Sequence, residues 1–274
     1  MQKKHRVMRT KLLRVDGEAR RFFMLTALVW PMSTQRMALA QTPTRIKIAA
    51  ASNLKFALAD LKSLFQQETG IQVDVNLGAS GNLARQILQG LPVEQFISAD
   101  EDRVAELFKA GRTLDAGQLY ATGRLALVVP LNSALPLAQG LAAVVRGLKP
   151  GDKLAIANPA LAPYGVAAEE ALQRSGVGPL AARQKVLGDN AGQATQFVAT
   201  GAAQAGITAL ALAMVPEMAS KLQVLALPAH LHAPLHQRMV LLQGASPAAR
   251  AWQRFLGSPQ ALAVFVRHGY ALPQ

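Results

Sequence analysis

The sequence predicts an α/β protein of two lobes with a ligand cleft between them. Two observations lead to this fold class. Segments with strand periodicity alternate with segments of helical periodicity along most of the chain. In addition, four short junctions of small or polar residues follow predicted strands, two of them before an apolar strand near residue 124 and two after it.

The first predicted lobe begins with a strand at residues 46–50. A helical face follows and ends at Gly70; its apolar positions are Leu54, Ala57, Leu58, Leu61, Leu64 and Phe65. Alternation at residues 73–77 predicts a second strand, and Leu83, Ile87 and Leu88 fall at helical spacing directly after it. Shorter patterns predict a strand around residues 96–97 and a helix over residues 104–108.

The second half of the chain repeats this alternation. Residues 124–130, "RLALVVP", are nearly all apolar, as expected for a strand buried on both faces. The segments "KLAIA", "KVL" and "AGIT" predict further strands, each followed by a helical pattern, and "QRMVLLQ" predicts one more before two terminal helices. We expect parallel sheets. Residues 41–124 and 222–274 are assigned to lobe 1 and residues 125–221 to lobe 2.

The first forty residues have the features of an export signal. They carry nine basic and two acidic residues, then a short apolar stretch from Phe22 to Trp30, then the small-residue site "ALA" ending at Ala40. The apolar stretch is too short to span a bilayer. We predict cleavage after Ala40, and Arg20-Arg21 resembles a twin-arginine signal.

Charge and cysteine content exclude several classes of function. The formal net charge of +13 falls to +6 when the predicted signal is removed, and this modest excess is spread along the chain with few aromatic residues. It does not indicate nucleic-acid binding. The absence of cysteine excludes disulfides, thiolate metal sites and cysteine nucleophiles.

The four junctions predict an anion site. They contain Ser52-Asn53, residues 78–82 around Ser80, Pro163-Tyr164-Gly165, and Asn190-Ala191-Gly192, with no Arg or Lys inside the loops. Ligands of α/β sheets bind beyond the carboxyl ends of strands, and the free N–H groups of helix N-termini suit an oxyanion. Ser80 is interpreted either as the cap of its own helix or as a donor to that anion.

Five segments resemble the periplasmic molybdate-binding proteins of ABC transporters. They are "AAASN" at residues 49–53, "GASGNLARQI" at 78–87, "EQFISAD" at 94–100, "NPALAPYGVAAEEAL" at 158–172 and "FLGSPQALAVFVRHGY" at 255–270. Their order along the chain after residue 40 matches that family. The resemblance implies a type II periplasmic binding protein fold whose cleft closes on molybdate or tungstate.

The same resemblance implies the site and the partners. Ligand contacts are expected from Ser52, Asn53, Ser80, Tyr164 and Ala191. No residue would ligate the metal directly, because molybdenum would reach the protein as an oxyanion. The resemblance further implies a periplasmic protein that serves an ABC membrane permease and is not an enzyme. We also expect a monomer without a resident cofactor.

One position departs from the family pattern. Many members place a tyrosine hydroxyl on the anion from a "GIVY"-like segment, but the matching stretch here is "GITA" and ends in Ala209. Tyr164 stands where many relatives have a small residue. Either Tyr164 replaces the missing ring or the specificity has changed.

Other interpretations remain at this stage. A receptor of the same fold for sulfate or phosphate is the main alternative, and Asp189 would accept the proton of hydrogen phosphate unless it caps the following helix. His230, His232 and His236 form a candidate metal cluster or a surface loop that joins the lobes. The export signal argues against a regulatory module, and Asn82 breaks the hydrolase pattern Gly-x-Ser-x-Gly.

Overall fold

The computed structural model describes residues 44–273, so the predicted export signal at residues 1–40 lies outside the described residues. The strands within the described range are β1 (Arg45–Ala51), β2 (Gln72–Gly78), β3 (Gln95–Ile97), β4 (Gln118–Gly123), β5 (Leu125–Pro130), β6 (Leu154–Ala157), β7 (Lys185–Gly188), β8 (Ala205–Ala209), β9 (Leu222–Ala226) and β10 (Leu235–Leu241).

Helices connect most of these strands. They are α1 (Lys55–Thr69), α2 (Ser80–Leu88), α3 (Asp102–Lys109), α4 (Leu141–Gly147), α5 (Pro163–Arg174), α6 (Gly178–Ala181), α7 (Ala191–Ala199), α8 (Leu210–Ala213), α9 (Pro216–Ala219), α10 (Pro247–Leu256) and α11 (Pro259–Arg267). Short 3-10 helices cover Ser52–Leu54, Leu137–Gln139 and Ala229–Leu231. In the described range, no helix has the length and apolar character needed to cross a membrane.

The strands form two sheets of five, in the orders β2-β1-β3-β10-β4 and β7-β6-β8-β5-β9. The prediction of parallel sheets is wrong in part, because β10 runs antiparallel to β3 and β4, and β5 runs antiparallel to β8 and β9. Each antiparallel strand is the one by which the chain enters or re-enters a sheet from the other lobe. Both sheets are therefore mixed, and the two-lobed α/β fold is confirmed.

The chain crosses between the lobes twice. It passes from β4 to β5 through Arg124 and returns between β9 and β10. The predicted return at residue 222 is too early, because Leu222–Ala226 pairs with β5 in the second sheet. The error arises because no strand is predicted from the sequence at residues 222–226, so that the boundary is placed ahead of β9.

Local sequence explains why the elements at the junctions start and stop where they do. Gly70 ends α1 in the left-handed conformation, with φ of 72°, which glycine adopts without steric cost. The first five residues of β5 are buried, as its continuous apolar character predicts. These strands and helices place all four predicted junctions at the carboxyl ends of β1, β2, β6 and β7.

Candidate functional site

The first and fourth junctions meet across the two lobes. Ser52 opens the short helix after β1, and its Oγ accepts a hydrogen bond of 3.3 Å from the backbone N–H of Gly192 at the start of α7. Ser52 is buried, with 8% of its surface exposed. A Cβ at Gly192 would lie 3.7 Å from the Ser52 Cβ, an ordinary contact, and 3.1 Å from Oδ1 of Asn190, a tight one. The predicted convergence of these two junctions is thus present in the structure.

The second junction differs from one interpretation of the sequence. Ser80 is the first residue of α2, and the cap position is held by Ala79, which makes no side-chain hydrogen bond to the helix. The Ser80 Oγ instead accepts a hydrogen bond of 3.0 Å from the backbone N–H of Ala99. Interpreting Ser80 as a helix cap is therefore wrong, because its oxygen is used by another loop.

The third junction brings Tyr164 against the first lobe. The phenolic oxygen of Tyr164 accepts a hydrogen bond of 3.0 Å from Nε2 of Gln237, a residue of β10. Nearby, the backbone N–H of Gly81 donates to the carbonyl of Leu161 over 3.0 Å. Burial raises the pKa of the Tyr164 hydroxyl above its ordinary value, so it keeps its proton at neutral pH.

Three buried hydroxyls differ from the other buried hydroxyls in the partners of their protons. Ser52, Ser80 and Tyr164 each accept a hydrogen bond from a protein N–H group and have no protein acceptor for their own proton among the described residues. The other buried hydroxyls in residues 44–273 each have a protein acceptor within 3.1 Å: Ser98, Thr113, Thr195, Thr208, Tyr120 and Tyr270. Because buried donors are normally paired, the first three protons are available to a ligand.

The two remaining predicted residues contribute differently. Both amide protons of Asn53 are used within the protein, on Gln237 and Tyr270, so its side chain has none left for an anion. What Asn53 retains is its backbone N–H, which has no partner in the first turn of its short helix. Ala191 is the first residue of α7 and offers a backbone N–H of the same kind, while its carbonyl accepts from Thr195 and Thr208.

Charged side chains lie around this group rather than within it. The Arg103 guanidinium pairs with Glu106 over 3.0 Å, and the exposed Lys55 ammonium lies 5.1 Å from the ring centroid of Phe56. Asp100 accepts hydrogen bonds from Ser98 and Arg103, and burial raises the pKa of its carboxyl. An anion at the junctions would therefore be held by neutral, preorganised donors.

The alternative sites from the sequence are not assembled. His232 is buried and bonds through Nδ1 to the carbonyl of Ala233, while His236 lies on β10 beside Thr122. Between residues 44 and 273, no three His, Cys, Asp or Glu side chains are grouped to hold a metal. The expectation that Asp189 caps α7 is wrong, because the cap is Asn190, whose side chain accepts from the N–H of Gln193.

A separate cavity of about 560 Å³ lies along the two connections between the lobes. Arg124, His232 and His236 are among its lining residues, together with the C-terminal residues Ala271 to Pro273. None of the five predicted site residues lines it. The cavity is therefore not formed by the converging junctions, although Gly123, which lines it, lies close to the Tyr164 hydroxyl.

Comparison with known proteins identifies the family. Residues 46–271 match the family described as bacterial extracellular solute-binding protein. The chain belongs to this family. The family description assigns its members the binding of solutes.

Within this family, the chain is similar to molybdate-binding proteins of two bacteria. This solute-binding protein is 35% identical over 238 residues to the molybdate-binding protein of Rhodobacter capsulatus, covering 85% of this chain and 91% of that protein. It is 32% identical over 253 residues to the molybdate-binding protein of Azotobacter vinelandii, covering 91% and 99% of the two chains. The solved structure of the periplasmic molybdate-binding protein from Azotobacter vinelandii matches with a TM-score of 0.76, covering 84% of this chain and all of that one.

A more distant structure shares the fold alone. The sulfate-binding protein from Mycobacterium tuberculosis matches with a TM-score of 0.67 at 19% identity, covering 83% of this chain and 86% of that one. The two-lobed architecture is thus common to proteins named for different oxyanions.

Sequence reasoning missed Gln237, although it bonds directly to two of the predicted residues. The signal was a glutamine at the buried period of a strand, since Leu235 and Met239, two positions to either side of it in β10, are buried and Gln237 itself is fully buried. A buried amide must have partners, and such a residue in a strand near a predicted cleft indicates a polar network.

Proposed function

We propose that this solute-binding protein captures molybdate and tungstate in the periplasm and delivers them to an ABC import permease. The observation that carries the proposal is the set of three buried hydroxyls, Ser52, Ser80 and Tyr164, whose protons have no protein acceptor among the described residues. Together with the backbone N–H groups of Asn53 and Ala191 they make a site rich in donors, which suits a fully ionised oxyanion.

The donor set also bears on the choice of anion. Hydrogen phosphate carries a proton that requires an acceptor, and each of the three hydroxyl oxygens already has one lone pair engaged, by Gly192, Ala99 and Gln237 respectively. Asp189 is exposed. Among anions without a proton, molybdate is favoured by the names of the relatives at 32% and 35% identity.

The proposal also covers the location of the protein, its oligomeric state and the role of Tyr164. Location in the periplasm is supported by the similarity to the periplasmic protein of Azotobacter vinelandii and by the export signal predicted at residues 1–40, with cleavage after Ala40. We also propose that the protein acts as a monomer, needs no cofactor and carries out no chemical step. Tyr164 takes the role of the tyrosine that Ala209 replaces.

Thermal unfolding with different anions tests the proposal. A ligand at about a hundred times its Kd stabilises a protein by about 2.7 kcal/mol, which for this chain length raises Tm by roughly 5 to 11 degrees. We expect this increase with molybdate and with tungstate, and a much smaller one with sulfate or hydrogen phosphate at equal concentration. Equal stabilisation by sulfate would reassign the protein to another oxyanion, and no stabilisation by any of the four would refute an oxyanion site.

A further inference from the structure

A chain of hydrogen bonds leads from the interior of the first lobe to Tyr164, with Gln237 at its centre. We propose that Gln237 is a positioning residue that turns the hydroxyl proton of Tyr164 toward the bound anion and so favours oxyanions that carry no proton. This inference rests on the proposed function, since it concerns how the same site selects its ligand. Gln237 itself does not need to touch the anion.

The chain begins at Tyr270, close to the C-terminus. Its hydroxyl donates to the backbone carbonyl of Asn53 over 2.9 Å, which uses the only proton it has. The same oxygen lies 2.9 Å from the side-chain amide of Asn53 and must therefore accept there. This fixes the nitrogen of the Asn53 amide toward Tyr270 and toward Gln237.

Gln237 is oriented by the Asn53 amide. The second proton of that amide is directed at Oε1 of Gln237 over 3.1 Å. The hydroxyl of Tyr120 lies 2.6 Å from the same oxygen, but its one proton is shared with the Ser98 carbonyl at 3.1 Å. With its oxygen toward Asn53, the nitrogen of the Gln237 amide faces Tyr164. Tyr164 must then accept from Gln237, and its own proton is directed elsewhere.

The opposite orientation of Gln237 would leave a conflict. Its nitrogen would face the nitrogen of Asn53, donor against donor, inside a region where Asn53 and Gln237 are at most 2% exposed. An unsatisfied buried donor is costly. Because Tyr270 prevents Asn53 from turning to relieve this conflict, the orientation is transmitted along the whole chain to Tyr164.

The contact between Gln237 and Tyr164 is closely fitted. A Cβ at Gly123, at the end of β4, would overlap both the Tyr164 hydroxyl and the Gln237 amide nitrogen. The glycine thus leaves the space in which these two groups meet. Since Gln237 belongs to the first lobe and Tyr164 to the second, the proton of Tyr164 is oriented when the lobes are in the arrangement seen here.

This orientation has a consequence for specificity. A hydroxyl that already accepts from Gln237 presents its proton to an oxygen without a proton; all four oxygens of molybdate are of this kind, and three of the four in hydrogen phosphate. Hydrogen phosphate would also present its own O–H, and the Tyr164 oxygen is engaged by the Gln237 amide. Gln237 therefore acts on ligand choice through Tyr164, and its removal should have no effect when the Tyr164 hydroxyl is absent.

A double-mutant cycle tests this dependence. Calorimetric titration with molybdate would be carried out on the parent, Gln237→Met, Tyr164→Phe and the double variant. We expect Gln237→Met to weaken binding about 3- to 10-fold in the parent, the size of one neutral hydrogen bond, and to have no effect in the Tyr164→Phe background. Equal weakening in both backgrounds, or unchanged affinity of Tyr164→Phe, would overturn the inference.

Gln95 provides a matched control. It is also a fully buried glutamine, lies on β3 next to β10, and bonds through its amide to Gln253 over 3.2 Å. Gln95→Met should leave molybdate affinity unchanged, and a loss equal to that of Gln237→Met would reduce the effect to general core damage. If Gln237→Met does not fold, Tyr270→Phe tests the same chain, because it frees Asn53 to turn and should weaken binding in the parent but not in Tyr164→Phe.

Ligand competition supplies a readout that packing damage would not move. Gln237→Glu replaces the amide by an acceptor, so Tyr164 would donate to it and turn its oxygen to the ligand. The ratio of hydrogen phosphate to molybdate affinity should then rise, whereas an unchanged ratio would contradict the inference. Failure of the parent to bind molybdate would refute the proposed function. If the parent binds molybdate and Gln237→Met binds it equally tightly, only the role of Gln237 would be refuted.

Discussion

Serines stand at helix starts in two regions of this protein, and they are used in opposite ways. Ser246 and Ser258 precede α10 and α11, where each side chain accepts the N–H of the residue three positions on, at 3.2 Å, and a proline follows at the first helical position. Ser52 and Ser80 instead open their helices and turn their oxygens to other loops.

The difference shows what distinguishes a structural helix start from a binding one. At α10 and α11 the serine satisfies its own helix, so the free N–H groups that would attract an anion are partly occupied. At the short helix after β1 and at α2 no side chain caps the helix. The orphan N–H groups and the serine protons are left at the ends of two neighbouring strands, since Ala51 of β1 pairs with Gly78 of β2.

The largest effect expected from this comparison is at Ser80. Ser80→Ala removes a proton donor to the anion and should weaken molybdate binding by about 1.5–3 kcal/mol, the range for hydrogen bonds to charged groups. Calorimetric titration of the folded variant measures this directly. Affinity equal to that of the parent would mean that Ser80 serves only to hold the loop at Ala99.

At Ser246 we expect a smaller effect, on stability and not on ligand affinity. Ser246→Ala removes a helix cap and should lower the free energy of unfolding by about 1 kcal/mol, while molybdate affinity stays at the parent value. Chemical denaturation and calorimetry on the same preparation separate the two quantities. A change in affinity here would show that serines in both regions act on the ligand indirectly, and the comparison would fail.

The sequence predicts the capping serines, Ser246 and Ser258, better than it predicts the roles of Ser52 and Ser80. Proline after Ser246 and Ser258 is typical of a capped helix start, and Gly81 after Ser80 carries no such signal. Periodicity likewise predicts most elements and the four junctions. It does not predict the antiparallel pairing of β5 and β10, because pairing depends on which strand the chain meets after crossing between lobes.

Partners across the fold are beyond what the sequence can indicate. Gly192 and Ala99 are separated from the serines that they contact by 140 and 19 residues, respectively. Asn53 matches the expected motif, yet the contacts with Gln237 and Tyr270, 184 and 217 residues away, use both of its amide protons. Residue type at a junction thus predicts which groups are present, and only the tertiary structure determines which protons remain free.

The central claim is that three hydroxyl protons, those of Ser52, Ser80 and Tyr164, point to one bound oxyanion. Crystals grown with tungstate test it most directly, because tungsten scatters anomalously and can be located without prior assumptions. The account predicts one strong peak between the lobes, with tungstate oxygens about 2.5–3.0 Å from the three hydroxyl oxygens. A peak beside Arg124 and His236 in the cavity along the lobe connections, with the three hydroxyls away from the anion, would contradict it.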